Sequence, residues 1–323
     1  MQATLIYNPQ AGRNGADQIE NFKGALREAG YDAVYKETNS EEDLDAALAG
    51  VEGLVISAGG DGTARAVMIR LLNRQNVHFT PLPMGTANNV CRTLGIEGDP
   101  LDILRRLRSP QACGFDVGHL EAPWGSDYFL EGAGLGFFAE VLAAYDPEKG
   151  KSVMRSLRSL AEISLNGFSR ITQIEFPEKT IQGEFLLVEA LNTKAVGPHL
   201  KFAPDADPTD GLLHVVCIRQ DQRDTFLKYL SSLVAEDLYE LGSVELFKVK
   251  ELKIGWNGFP VHVDDVVLPR GFDYRRQEQS EKQVEDASPF TVRPFPDVEP
   301  GSTLHLRVLP QALSVWLPAR EPE

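Results

Sequence analysis

The 323-residue sequence predicts an α/β protein: an N-terminal three-layer α/β/α domain on a mostly parallel sheet, then a second, mainly antiparallel β domain. Three observations predict it. Over the first third of the chain, short apolar runs alternate with stretches of helical periodicity, the pattern of βα units. Beyond Glu121-Ala122-Pro123-Trp124-Gly125, strand signals dominate. The length and the 42% hydrophobic content suit roughly two domains, each able to bury a core. The expected domains are residues 1–123 and 124–323, with the last segment, Gln311 to Leu317, open to return to the first.

Ala3 to Tyr7 is a first strand, followed by a loop from Asn8 to Gly15 and a helix from Ala16 to Ala29 that Gly30 closes. Tyr31 to Glu37 is a second strand. Ser40 to Ala49 is helical, with Ser40 and Asp43 placed like a capping box. Leu54 to Ala58 is a third strand, Gly59 to Thr63 a loop, and Ala64 to Leu72 a helix with Thr63 as its N-cap. Phe79 to Pro83 is a fourth strand, a short helix runs to Leu94, and Pro100 to Arg108 is another helix.

The second domain carries strands at Asp116–Leu120, Tyr128–Gly132, Thr172–Phe176, Phe185–Asn192, Leu212–Ile218, Val249–Ile254, Val261–Val267 and Leu304–Val308. Helices at Ser152–Ser169 and Arg223–Leu241 interrupt them, and Arg275 to Asp297 reads as a polar surface insertion. No internal repeat is visible.

Composition excludes several classes. A net charge of −15 argues against a nucleic-acid partner and against charge-driven binding to anionic membranes. Cys91, Cys113 and Cys217 show neither a disulfide framework nor zinc spacing, which fits a reduced, cytoplasmic setting. No apolar run approaches the roughly 18 residues of a membrane-spanning helix.

The chemistry is concentrated at Leu54-Val55-Ile56-Ser57-Ala58-Gly59-Gly60-Asp61-Gly62-Thr63. Glycines admit positive φ and let a ligand approach the backbone amides closely. Amides at a helix N-terminus, with the dipole behind them, bind anions, typically phosphate. Asp61 would repel a phosphate unless a cation or hydroxyl intervenes, which points to Mg²⁺. A plain strand-to-helix turn is the competing reading of the same glycines.

Two other glycine clusters carry less. Gly150-Lys151-Ser152 lacks the leading glycine of a P-loop, since position 145 is Tyr145. Gly132-Ala133-Gly134-Leu135-Gly136 is an incomplete dinucleotide fingerprint and reads instead as a tight turn. Asp205, Asp207 and Asp210, with Pro204 and Pro208, form an acidic turn suited either to a hard cation or to solvent.

Asn8-Pro9-Gln10-Ala11-Gly12, Gly59-Gly60-Asp61-Gly62-Thr63, Pro83-Met84-Gly85-Thr86-Ala87-Asn88-Asn89, and Ala203-Pro204-Asp205-Ala206 through Asp210-Gly211-Leu212-Leu213 occur in this order. Together they resemble the diacylglycerol kinase family, which includes bacterial lipid kinases, sphingosine kinases and ceramide kinases. The resemblance implies an ATP- and Mg²⁺-dependent lipid kinase. It implies nucleotide contacts at Asn8, Pro9, Gln10, Ala11, Gly12, Thr38, Gly59, Gly60, Asp61, Gly62, Thr63, Ala64, Arg65 and Thr86. It implies a second-domain Mg²⁺ held by Asp210 and by the carbonyls of Asp207 and Leu212. The implied acceptor is a diacylglycerol-like lipid hydroxyl, reached by peripheral membrane contact. A homodimer is left open.

Several positions depart from the family pattern. Asn89 stands where Asp is common, and His214 where an Asp often follows the metal segment. The family's late Asp-Gly-Glu is matched by Asp264-Asp265-Val266, so valine replaces the glutamate implicated in deprotonating the lipid. With Val261 to Val267 as one strand, alternate side chains share a face, and Asp264 lies on the face of position 266. Asp264 is therefore the expected base, with Asp265 the alternative and Asp61 completing the catalytic set. NAD kinase shares Gly-Gly-Asp-Gly, but Leu191-Asn192-Thr193-Lys194 lacks that group's Asn-Glu pair. A non-catalytic nucleotide or lipid sensor is the reading from another class, motivated by Val266.

Overall fold

In a computed structural model, the structure describes residues 1–7, 15–38, 41–144, 169–235, 244–272, 295–296, 298–299 and 301–320. The block Asn8–Gly12, Arg13, Ser40, Gly150-Lys151-Ser152, all but the last residue of the helix expected at Ser152–Ser169, residues 236–241 and most of the insertion after Arg275 lie outside the described residues. The chain forms two units. The first comprises Met1–Val117, Asp207–Gly211 and Leu309–Glu323; the second comprises Gly118–Ala206 and Leu212–Val308.

The first unit is built on β1 (Gln2–Tyr7), β2 (Asp32–Glu37), β3 (Gly53–Gly59) and β4 (Val77–Pro83), all parallel, in the order β4-β3-β1-β2. The end of the last strand, Leu309–Leu317, pairs parallel beside β4, with Val315 opposite Phe79. β1 and β3 are buried almost end to end rather than alternately, because a parallel sheet is covered on both faces. Leu5, Tyr7, Leu54, Ile56 and Ala58 share one core with Phe22 and Leu26 of helix α1 (Gly15–Glu28). Helices α2 (Glu41–Leu48), α3 (Asp61–Met68), α4 (Asn89–Thr93) and α5 (Pro100–Arg106) complete the βα succession. Ile103 and Leu104 of α5 join the same core. Asp99 caps α5 by accepting from the Leu101 amide at 2.9 Å, with Pro100 at the first helical position.

In the second unit every registered strand pair is antiparallel. β5 (Gln111–Ala122) reaches it at Gly118 and pairs with β6 (Gly125–Phe129). β7 (Gly132–Gly136) leads into α6 (Phe137–Ala144). β8 (Arg170–Glu175), β9 (Thr180–Leu191) and β10 (Leu213–Arg219) follow, then helix α7 (Arg223–Ala235). β11 (Glu245–Val249), β12 (Glu251–Gly255), β13 (Val261–Val263), β14 (Val266–Leu268) and β15 (Thr303–Leu317) complete the chain. The long β9 is the central strand, pairing with β7, β8 and β10.

Four local expectations change. Gly132–Gly136 is a strand, not a turn. Its glycines are required by close approach: a Cβ on Gly136, at φ +94°, would lie 2.3 Å from the Leu186 carbonyl oxygen. Val261–Val267 is a hairpin, β13 and β14 joined at Asp264-Asp265, with Asp264 at φ +52°. The strand expected at Val249–Ile254 is two strands, β11 and β12. The segments Leu304–Val308 and Gln311–Leu317 are one strand, β15.

Candidate active site

Parallel strands deliver their loops to one edge, and ligands of such sheets bind beyond the carboxyl ends. Thr38 follows β2, Gly59 ends β3 and Pro83 ends β4, so the described motif loops all emerge at that edge. The β3 and β4 loops touch through their backbones. The Met84 amide donates to the Gly59 carbonyl at 3.1 Å. A Cβ on Gly85 would lie 2.6 Å from the Gly60 Cα, and one on Gly59 would lie 2.5 Å from the Thr63 side chain. Gly59 and Gly85 are therefore fixed by contact as well as by turn chemistry.

Helix α3 begins one residue after Gly60, which is its N-cap; no side chain among the described residues caps it. Thr63 is inside the first turn and does not cap the helix as expected, because helical geometry starts at Asp61. The first-turn backbone of α3 thus presents an N-terminus flanked by Gly60 and Gly62, and Gly62, Gly85 and Thr86 are exposed beside it. This is the arrangement that favours phosphate. Ala64, Arg65 and Thr38 are buried at this edge.

Asp61 is half-buried in the first turn of α3, and its carboxylate turns to the start of α4. The Val90 amide donates to Asp61 Oδ1 at 3.2 Å, and the amides of Asn88 and Asn89 also face it. Burial pushes the Asp61 carboxyl up, and these amides pull it back toward the anion. The physical reason is the unsatisfied amides of α4, which attract a negative charge. Asn88, at φ +52°, folds its side chain onto the β4 loop: Oδ1 accepts from the Gly85 amide and Nδ2 donates to the Gly85 carbonyl, both at 2.8 Å. Asp61→Ala should therefore lower stability by about 1 kcal/mol, the usual cost of a lost cap, in addition to any loss of activity. Denaturant titration checks the first effect, and an unchanged midpoint would contradict it.

Residues Asp207–Gly211 of the acidic turn group with the first unit, while Asp205 stays in the second as read from sequence; Asp116 anchors the former. The Asp116 amide donates to the Pro208 carbonyl at 2.7 Å, and its carboxylate accepts from the amides of Gly211 and Gln311, each at 2.7 Å. Asp116 is fully buried among these partners. Burial pushes its carboxyl up, and nearby Asp210 and Asp207 push the same way. Asp207 Oδ1 accepts from the Thr209 amide and hydroxyl, at 3.0 and 2.7 Å, and the Asp210 amide donates to the Asp207 carbonyl at 3.3 Å. The donors offered by Asp207, Asp210 and Leu212 are all oxygens, which fits a hard cation. Among the described residues no three His, Cys, Asp or Glu side chains gather as a ligand set.

Asp264 is not placed as a base. It is buried in the second unit, and Oδ1 accepts from the amides of Leu130, Glu131 and Gly132 at 3.2, 2.8 and 3.1 Å; Oδ2 takes Leu130 at 3.0 Å. Its own amide donates to the Gly132 carbonyl at 2.8 Å. The face argument fails because residues 264 and 265 are a hairpin turn, in which side chains do not alternate. Asp265 is exposed beside it.

The chain thus combines a parallel α/β unit, whose sheet edge carries interlocked glycine loops, with an antiparallel β unit. Residues 2–120 match the diacylglycerol kinase catalytic domain, and residues 150–270 match the YegS C-terminal NAD kinase beta sandwich-like domain. A diacylglycerol kinase of Bacillus subtilis (strain 168) is 30% identical over 245 residues, covering 70% of this chain and 77% of that protein. One from Staphylococcus epidermidis (strain ATCC 12228 / FDA PCI 1200) is 27% identical over 233 residues, covering 68% and 71%. A solved structure of a diacylglycerol kinase from Bacillus anthracis str. Sterne has the same fold, with a TM-score of 0.67, 18% identity and coverage of 97% and 96%. The chain belongs to the diacylglycerol kinase family, a family of lipid kinases.

Sequence reasoning missed Asp116, Glu189 and His262. The signal was present in each case: a charged or ionisable residue inside an apolar run, as in Phe115-Asp116-Val117, Val188-Glu189-Ala190 and Val261-His262-Val263.

Proposed function

We propose that the protein transfers the γ-phosphoryl group of ATP, with Mg²⁺, to the hydroxyl of a diacylglycerol-like lipid. The observation that carries this reading is the interlocked pair of glycine loops at the carboxyl edge of the first-unit sheet. Gly59, Gly60 and Gly62 cradle the phosphates on backbone amides. Asp61 fixes the α4 turn beside them, a positioning role that leaves the metal at the nucleotide without an assigned side chain. Mg²⁺ supplies charge neutralisation when bound, and Asp210 with the carbonyls of Asp207 and Leu212 are the residues to hold a second-segment ion. Phosphoryl transfer needs positioning and charge compensation more than covalent chemistry. No helix among the described residues is long and apolar enough to cross a membrane, so the lipid is met by peripheral contact in this reading.

The base role passes to Asp265. Its side chain is exposed at the β13–β14 turn, while the lone pairs of Asp264 are taken by amides. Asp265→Asn should cut turnover by about 10²–10⁴, the usual range for a general base, with ATP affinity and thermal stability unchanged. The check is initial-rate kinetics on diacylglycerol in mixed micelles; full turnover by Asp265→Asn would remove the assignment.

A further inference from the structure

Glu189 on β9 and His262 on β13 are both fully buried in the second unit. His262 Nε2 lies 2.6 Å from Glu189 Oε2, and His262 Nδ1 lies 3.0 Å from the carbonyl oxygen of Asp264. A carbonyl oxygen only accepts, so Nδ1 carries a proton; the Nε2–Oε2 contact holds a second. Burial disfavours the charged ring, but the charge and hydrogen bond of Glu189, with the Asp264 carbonyl, raise its affinity for that proton above the ordinary value. The site is built for the pair. A Cβ on Gly134 would lie 2.5 Å from Glu189 Oε2, so only glycine leaves room for the carboxylate. Phe138 of α6 packs edge-on against the imidazole at 4.7 Å.

The groups around the ring leave Glu189 as its counter-ion. Its neighbours across the sheet are Gly134 on β7 and Val267 on β14, neither of them titratable. On α6, Glu140 is paired with Arg170. On its own hairpin, the Asp264 carboxylate is engaged by the amides of Leu130, Glu131 and Gly132, and Asp265 is exposed. Among the described residues Glu189 Oε1 has no hydrogen-bond partner, so a neutral His262 would leave a buried carboxylate uncompensated, a costly state.

We propose that Glu189 and His262 are positioning residues: a buried carboxylate–imidazolium pair that braces the Asp264-Asp265 turn through the Asp264 carbonyl. Its catalytic consequence, correct placement of Asp265, rests on the lipid-kinase reading; the brace itself does not. The folded ring binds its proton more tightly than the unfolded one, whose ordinary value is 6.5. The stabilisation is therefore complete below that value and is lost as pH rises through the higher folded value.

Isotope-labelled protein and hydrogen exchange test this. In the wild type near neutral pH, both His262 ring nitrogens should be protonated, the resonances being assigned by their loss in His262→Gln. In Glu189→Gln, His262 should become neutral at the same pH. Exchange at residues 130–132 and 260–268 should quicken by about tenfold or more, as local opening becomes easier, while β1 to β3 keep wild-type exchange. The turnover number should fall with the KM for ATP unchanged. Should Glu189→Gln not fold, a wild-type alkaline pH series must show the same exchange increase at these segments after correction for intrinsic rates. A bare ring nitrogen in wild-type His262 near neutral pH overturns the proposal, as does unchanged exchange at the turn in Glu189→Gln. A wild type inactive on every lipid refutes the kinase reading, and the ring and exchange results still decide the brace.

Discussion

Asp264→Ala is expected to lose about 4 kcal/mol of stability, a large part of the 5–15 kcal/mol typical of a folded domain. The substitution strips three backbone amides, those of Leu130, Glu131 and Gly132, of their shared acceptor inside the protein. Each buried group left unsatisfied costs about 1–3 kcal/mol, more when the lost partner is charged. Alanine also sits poorly at φ +52°, a region that aspartate and asparagine tolerate better. Asp264→Asn keeps one acceptor oxygen and that backbone preference, so it should lose less. Thermal unfolding should show the order wild type, Asp264→Asn, Asp264→Ala, with the last shifted by roughly 10 °C. A wild-type midpoint for Asp264→Ala would mean that water, not protein, satisfies those amides. Loss of activity in Asp264 variants is thus expected to follow unfolding, and only Asp265 variants report on the base.

Gly85→Ala should weaken nucleotide binding by about 10- to 100-fold. The new methyl would stand 2.6 Å from the Gly60 Cα and 3.0 Å from Asn88 Oδ1. The first neighbour is backbone and has no rotamer to yield, so the β3 and β4 loops must part. Overpacking of this kind costs about 1–3 kcal/mol, and each 1.4 kcal/mol is about tenfold in affinity. Gly24→Ala is the internal comparison. Gly24 lies within α1 with nothing among the described residues within 4 Å of its would-be Cβ, so alanine there should stabilise the helix by roughly 1 kcal/mol. Titration of ATP into both variants checks the pair. Equal affinities would show that the glycine contact does not shape the nucleotide site.

The parallel unit was legible because its signals are local. Apolar runs end in glycine, helices open with caps, and the connection rules then bring every loop to one edge. Thr63 misled only by position, since the helix takes Gly60 as its cap and starts three residues earlier. The antiparallel unit was less legible because its decisive features are non-local. Val263-Asp264-Asp265-Val266 lacks the Asn-Gly or Asp-Gly of a two-residue hairpin, so the seven residues Val261 to Val267 read as one strand. Gly132–Gly136 read as a turn because its glycines answer to β9, more than fifty residues away, whose backbone and Glu189 side chain crowd it. α6 went unseen since its first turns, Phe137 to Val141, are buried on every side and carry no helical stripe. The role of Asp116 depends on Gly211 and Gln311, and no spacing rule connects residues that far apart.

The most direct measurement incubates the purified chain with labelled ATP and Mg²⁺ against mixed micelles of diacylglycerol and other lipid alcohols, and against NAD in parallel. The account predicts label in a lipid phosphate and none on NAD, with transfer abolished by chelation of the cation. Label on NAD alone, or bound ATP with no transfer to any hydroxyl, would contradict it.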